Sequence, residues 1–72
     1  MKSAADKIEG RQLEILQRKA RGEFNKNIAD DLGIAESTLE SYVKRLYARL
    51  GARNAAQALY NFTVQKHPEF SL

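Results

Sequence analysis

The sequence predicts an all-α domain of four helices, with a short second helix and a long third one. Apolar residues recur at spacings of three and four in four separate segments. No run of alternating β-branched residues suggests a strand. Gly22, Gly33 and Gly51 fall in the gaps between the segments, where a helix end favours a residue at positive φ, and the single proline, Pro68, lies near the end of the chain.

The first helix is expected from Glu9 to Arg21, with Leu13, Leu16 and Ala20 on its inner face, Ile15 flanking them, and Arg11 and Glu14 as a local surface pair. The second covers Asn25 to Leu32 and presents Ile28, Ala29 and Leu32. The third runs from Glu36 to Leu50, and its Leu39, Val43, Leu46 and Leu50 form an amphipathic stripe. The fourth spans Ala55 to Lys66, with Ala55, Ala58, Leu59 and Phe62 as apolar positions and Asn54 and Gln57 spaced as a capping box at its start. Residues 1–7 read as a flexible lead-in, 8–66 as the domain and 67–72 as a tail that cannot stay helical past Pro68, with His67 an exposed tail residue.

Composition narrows the function classes. A chain of 72 residues has a core close to the minimum for independent folding, and with no cysteine and one histidine it offers no disulfide, thiol nucleophile or cysteine-based metal site. No apolar run is long enough to cross a membrane, and no basic-then-apolar leader opens the chain. A small binding module is expected rather than an autonomous enzyme, with no cofactor or metal. The net charge of +3 is unevenly distributed, because no carboxylate lies between Glu40 and Glu69 while Lys44, Arg45, Arg49 and Arg53 lie close together. Such a segment attracts polyanions, nucleic acid first.

Residues 25–50 carry the most information. Ala29 stands where the second and third helices must cross, and a larger side chain there would hold them apart. Gly33, four positions on, permits a sharp turn; Ile34 can plug the corner, and Leu39 can point back into the angle between the helices. A small residue, a glycine four later and an apolar residue six after that form the helix-turn-helix pattern.

The spacing then extends well beyond that pattern. It includes Arg11-x-x-Glu14-Ile15-Leu16, Gly22, Asn25-Lys26-x-Ile28-Ala29-x-x-Leu32-Gly33-Ile34, Glu36-Ser37-Thr38-Leu39, Lys44, Leu50-Gly51-x-Arg53-Asn54 and Gln57-Ala58-Leu59. Over residues 8–62 the chain resembles the LuxR/GerE-type DNA-binding domain of bacterial transcription regulators. Sigma-factor region 4 has a similar front half, but the Leu-Gly-x-Arg-Asn turn and the helix after it favour the LuxR type.

The resemblance implies sequence-specific binding to double-stranded promoter DNA, with the third helix in the major groove. It places Glu40, Ser41 and Lys44 against base edges, and Lys26, Thr38 and Arg45 against phosphates, with Arg49 adding to the phosphate contacts. It also implies a homodimer on an inverted repeat, formed through the fourth helix, where Ala56, Leu59, Tyr60 and Thr63 offer more apolar surface than one packing face needs. RNA polymerase is a further implied partner, and the bacterial cytoplasm, at the nucleoid, the implied location. No membrane contact or small-molecule ligand is expected, since a chain this short holds no sensor domain. The alternative is a protein-interaction module of the same fold that sequesters a full-length regulator as a heterodimer.

The chain departs from the family pattern at several places. Phe24 and Asn27 replace the usual capping pair of the second helix, leaving Asn25 as the expected cap, and Ala35 replaces the Ser or Thr before the third. Tyr42 stands where a histidine is frequent, and both Tyr42 and Tyr47 are expected half-buried on the scaffold. Glu40 stands where a basic residue is usual. Two roles are open for it: accepting from a cytosine amino group, or closing a capping box with Ser37.

Overall fold

The computed structural model describes Ile8, residues 10–67 and Glu69. Among the described residues four helices follow one another: α1 (Arg11–Ala20), α2 (Asn25–Leu32), α3 (Glu36–Leu50) and α4 (Ala55–Lys66). No strand occurs among the described residues. The all-α expectation holds, and α2, α3 and α4 keep the bounds read from the sequence. Helix α1 is shorter than expected, opening after Gly10 and closing at Ala20. The lead-in 1–7, Glu9, Pro68 and residues 70–72 lie outside the described residues.

The first three helices end in the same way. At the end of α2 the Gly33 N–H donates to the Asp30 carbonyl (3.2 Å) and the Ile34 N–H to that of Ala29 (3.0 Å). At the end of α3 Gly51 donates to Ala48 (3.2 Å) and Ala52 to Tyr47 (2.8 Å); after α1, Gly22 and Glu23 donate back to Lys19 and Arg18. These paired bonds satisfy carbonyls that the helix leaves open and reverse the chain within a residue or two. Gly33 and Gly51 sit at φ 69° and 65°. A Cβ at either would meet nothing within 4 Å, so the backbone angle, not space, selects glycine there.

The helix starts differ from one another. At α4 the Asn54 Oδ1 accepts from the Gln57 N–H (2.8 Å), while the Gln57 Oε1 accepts from the Arg53 N–H (2.7 Å). The expected capping box therefore forms, closing one residue earlier than the usual pattern. Phe24 and Ala35 occupy the caps of α2 and α3 without any side-chain bond. Asn25 is not the cap of α2, because it already lies inside the helix and its Oδ1 accepts from the Lys19 ammonium. The Ser37–Glu40 box is also absent: α3 starts at Glu36, which places Ser37 within the first turn, beyond the cap position.

The core has two parts. Ile8, Leu16, Leu46, Leu50 and Ala58 form one cluster where α1, α3 and α4 meet. Ile15, Ile28, Ala29, Leu39 and Val43 form the other where α1, α2 and α3 meet. Half-buried Tyr42 and Tyr47 pack against both clusters, as expected of scaffold tyrosines. The inner face of α1 needs correction: Ile15 and Leu16 are buried, Leu13 is half-buried and Ala20 is exposed. The helix lies between the two clusters, so the adjacent residues Ile15 and Leu16, about 100° apart around the axis, each enter one of them.

Replacing Asn54 with Ala should cost about 1 kcal/mol in urea unfolding, through the lost cap of α4. Glu40→Ala should leave the unfolding midpoint unchanged, because Glu40 caps nothing. A drop for Glu40→Ala equal to that for Asn54→Ala would contradict these cap assignments.

Candidate nucleic-acid interface

Helix α3 has fifteen residues, about 22 Å of axis, long enough to lie along a DNA groove. Leu39, Val43, Leu46 and Leu50 hold it to the core. That leaves Ser37, Ser41, Lys44, Arg45 and Ala48 on the outward face, all exposed, with Thr38 and Arg49 exposed on one flank and Glu40 exposed on the other. Among the described residues neither the Glu40 nor the Lys44 side chain makes a hydrogen bond or ion pair, so both are available to an outside partner.

A groove runs along each side of α3. The first, of about 290 Å³, is lined by Lys19, Asn25, Glu40, Val43, Lys44 and Tyr47. It brings Glu40 and Lys44 together with Lys19, a residue that the sequence reading missed. Burial pushes the Tyr47 phenol above its ordinary pKa, so it stays neutral in this wall. The second groove, of about 240 Å³, is lined by Arg11, Ile15, Leu32, Ile34, Thr38 and Tyr42. Tyr42 separates it from a 60 Å³ notch that holds Arg45 and Arg49. Thr38, Arg45 and Arg49 thus share one flank of α3. Lys26 is exposed in the first turn of α2, where no acidic side chain opposes the positive end of the helix.

Two side-chain systems fix the frame. The Arg18 guanidinium, 14% exposed, bonds the Glu23 carboxylate in the α1–α2 turn (2.8 Å) and the Asp31 carboxylate on α2 (2.6 Å). Arg21 adds a second contact to Glu23 (3.1 Å). The Arg18 bond, with Arg21 behind it, holds the Glu23 carboxyl below its ordinary pKa. The expected Arg11–Glu14 pair does not form; Arg18 makes the ion pairs of α1 instead. At the far end, the Asn61 amide on α4 donates to the Leu50 carbonyl (2.8 Å), tying down the last turn of α3. Neither system was legible in the sequence, since each joins residues on different elements with no fixed spacing.

On α4, Ala56, Tyr60 and Thr63 are exposed, whereas Leu59 is half-buried against the first core cluster. The Thr63 hydroxyl donates to the Leu59 carbonyl (2.9 Å). Tyr60, 58% exposed, is the large side chain of this strip. His67 is exposed and faces Glu69 at 3.3 Å. No group of three potential metal ligands occurs among the described residues, and no helix is long and apolar enough to cross a membrane.

Comparison with known proteins points in one direction. Residues 10–61 match the family described as bacterial regulatory proteins, luxR family. The chain is 41% identical over 49 residues to the glycerol metabolism activator of Pseudomonas putida, covering 68% of this chain and 22% of that protein. It is 36% identical over 55 residues to the uncharacterized transcriptional regulatory protein YxjL of Bacillus subtilis, 76% of this chain and 25% of that one. It is 42% identical over 45 residues to the C4-dicarboxylate transport transcriptional regulatory protein DctR of Rhodobacter capsulatus, 62% of this chain and 23% of that one. The chain therefore spans about a quarter of the length of these relatives. No solved structure matches significantly.

The Arg18 cluster gives a pH test. A carboxyl whose folded pKa is lowered stabilises above its ordinary pKa and loses that contribution as pH falls through the folded value. Glu23→Gln should therefore melt below the parent at pH 7, and the gap should close as pH drops below about 4. A gap that is the same at both pH values would mean that the ion pair does not carry the effect.

Proposed function

The chain belongs to the luxR family of bacterial regulatory proteins, and on that premise we propose that it binds double-stranded DNA sequence-specifically to regulate transcription. In this reading α3 enters the major groove. Glu40, Ser41 and Lys44 meet base edges: Lys44 donates to guanine O6/N7, Ser41 donates or accepts, and Glu40 accepts from a cytosine amino group. Lys26, Thr38, Arg45 and Arg49 meet phosphates and set the register. The observation that carries the proposal is how the charge is distributed. Arg18 and Arg21 are neutralised by carboxylates of the scaffold, whereas Lys44, Arg45 and Arg49 on α3 have no carboxylate within ion-pair distance among the described residues. That leaves positive charge on the one long helix with a free face.

We further propose a homodimer on an inverted repeat, with Ala56, Tyr60 and Thr63 of α4 facing their counterparts and Leu59 supporting them from beneath. The exposed Tyr60 supports this, because a two-fold contact brings the same strip of each copy together. Docking beside a promoter would then recruit or occlude RNA polymerase, in the bacterial cytoplasm at the nucleoid.

Selection from a random DNA pool should return a preferred half-site and, for a dimer, its repeat and spacing. Lys44→Ala should cost about 1–3 kcal/mol on the selected site and relax one base position. Lys26→Ala should weaken all sequences alike and lower the salt slope by about 1. Glu40→Ala should relax a C·G preference without reducing non-specific affinity. Recovery of no preferred sequence, or binding insensitive to salt, would overturn the proposal.

A further inference from the structure

Most of the second groove has a chemistry that a DNA backbone does not use. Ile15, Leu32, Ile34 and Tyr42 make its walls largely apolar, a surface from which a hydrated phosphate gains nothing; of its lining residues, Thr38 alone is also a proposed phosphate contact. Three arginines surround it: Arg11 at one rim, and Arg45 and Arg49 in the notch beyond Tyr42. None of the three has a carboxylate within ion-pair distance among the described residues. We propose that this slot receives an acidic, amphipathic peptide segment of a partner protein. One aliphatic or aromatic side chain enters between Ile34 and Tyr42, and carboxylates on either side of it pair with Arg11 and with Arg45 and Arg49.

The walls are set before any ligand arrives. The backbone at Ile34 is held by its N–H bond to the Ala29 carbonyl, and Tyr42 is packed against both core clusters. A preformed slot spares the ordering cost that weakens binding to mobile surfaces. The arginine fork suits bidentate contact with carboxylates. Charge complementarity selects an acidic segment over a neutral or basic one, and the apolar walls select a peptide over nucleic acid. Arg45 and Arg49 are also the proposed phosphate contacts, so peptide and DNA would exclude one another. That competition rests on the DNA-binding reading; the peptide site does not.

The test uses the full chain and a short fluorescein-labelled synthetic peptide, in which one Leu and one Phe are set among Asp and Glu residues, followed by anisotropy. Two control peptides replace the apolar pair with Ser or the acids with Lys. The parent peptide should bind and both controls should bind about tenfold more weakly or worse. Ile34→Ser and Arg11→Gln should each weaken the peptide about tenfold, near 1.4 kcal/mol, while changing affinity for the selected duplex less than twofold. Lys26→Ala should do the reverse, and unlabelled duplex should displace the peptide. Melting curves confirm that each variant is folded, and Arg11→Gln, at an exposed rim, provides a second probe should Ile34→Ser disturb the turn. Equal binding of the Ser control would reduce the site to charge alone and overturn the proposal. Parallel loss of DNA and peptide in Ile34→Ser and Arg11→Gln would assign the slot to the DNA interface instead. A chain that binds the peptide but no DNA would overturn the DNA-binding reading and leave the peptide site standing.

Discussion

The apolar stripe of α3 is the contact on which everything else depends. Leu39 and Val43, in its first half, are buried in the cluster shared with α1 and α2; Leu46 and Leu50, in its second half, are buried in the cluster shared with α1 and α4. One helix therefore belongs to both halves of the core, and α2 and α4 meet only through it and α1. A rotation of α3 about its axis would have to expose one cluster or the other, at about 25 cal/mol for each Å² of apolar surface returned to water. The outward set of Ser41, Lys44 and Arg45 is thus fixed by what lies behind it. In a chain of 72 residues that is an economical way to orient an exposed face, since the stabilising contacts and the orienting contacts are the same.

The ends of the helices follow from that division. Helix α4, which has no buried partner beyond α1 and α3, carries a full reciprocal cap at its start. Helices α2 and α3, the two that flank the turn, carry no side-chain cap. Apart from the Asn27 N–H, which donates to the Phe24 carbonyl (3.0 Å), their first-turn N–H groups have no side-chain acceptor, and Lys26, Ser37 and Thr38 are exposed beside them. Packing offsets the missing caps: Ala29 at 1% exposure allows α2 to approach α3, and Leu39 at 0% closes the angle. The bond from Asn61 to the Leu50 carbonyl then secures the opposite end of α3 from α4.

Local periodicity made most of the fold legible. The stripe of α3, the glycines at φ 69° and 65° and the Asn54–Gln57 pair are all signals within a few residues of one another, and each recurs in the structure. Reading failed where a residue's partner lay on another element. Asn25 looks like a cap when only its neighbours are considered, yet Lys19 claims its side chain. Arg11 and Glu14 have the spacing of a helix pair, but it is Arg18 that finds carboxylates, in the turn and on α2. Ala20 repeats the apolar spacing of Leu16, but it is the last residue of α1 and lies beyond both clusters. The same limit hid the candidate site in part. The face of α3 could be read from its own sequence, whereas Lys19 and the apolar slot exist only because α1 and α2 lie alongside.

The charge arrangement follows from the same geometry. Through Arg18 and Arg21 the scaffold fastens α1 to α2 and at the same time offsets the charges of Glu23 and Asp31. Exposed charges are screened over about 8 Å at physiological salt, so what an approaching polyanion meets is local rather than the net +3. At α3 that local field comes from Lys44, Arg45 and Arg49, with Glu36 in the first turn and Glu40 as the acidic exceptions. Glu40 is not a random defect in this field, because it lines the same groove as Lys19 and Lys44, where its charge is offset over a short range. In the proposed complex a carboxylate placed there would cost little in overall attraction and would still demand a hydrogen-bond donor from the base edge opposite. In the proposed DNA complex, general affinity and selectivity would therefore fall to different sides of one helix, the arginine flank attracting and the groove of Glu40 and Lys44 discriminating.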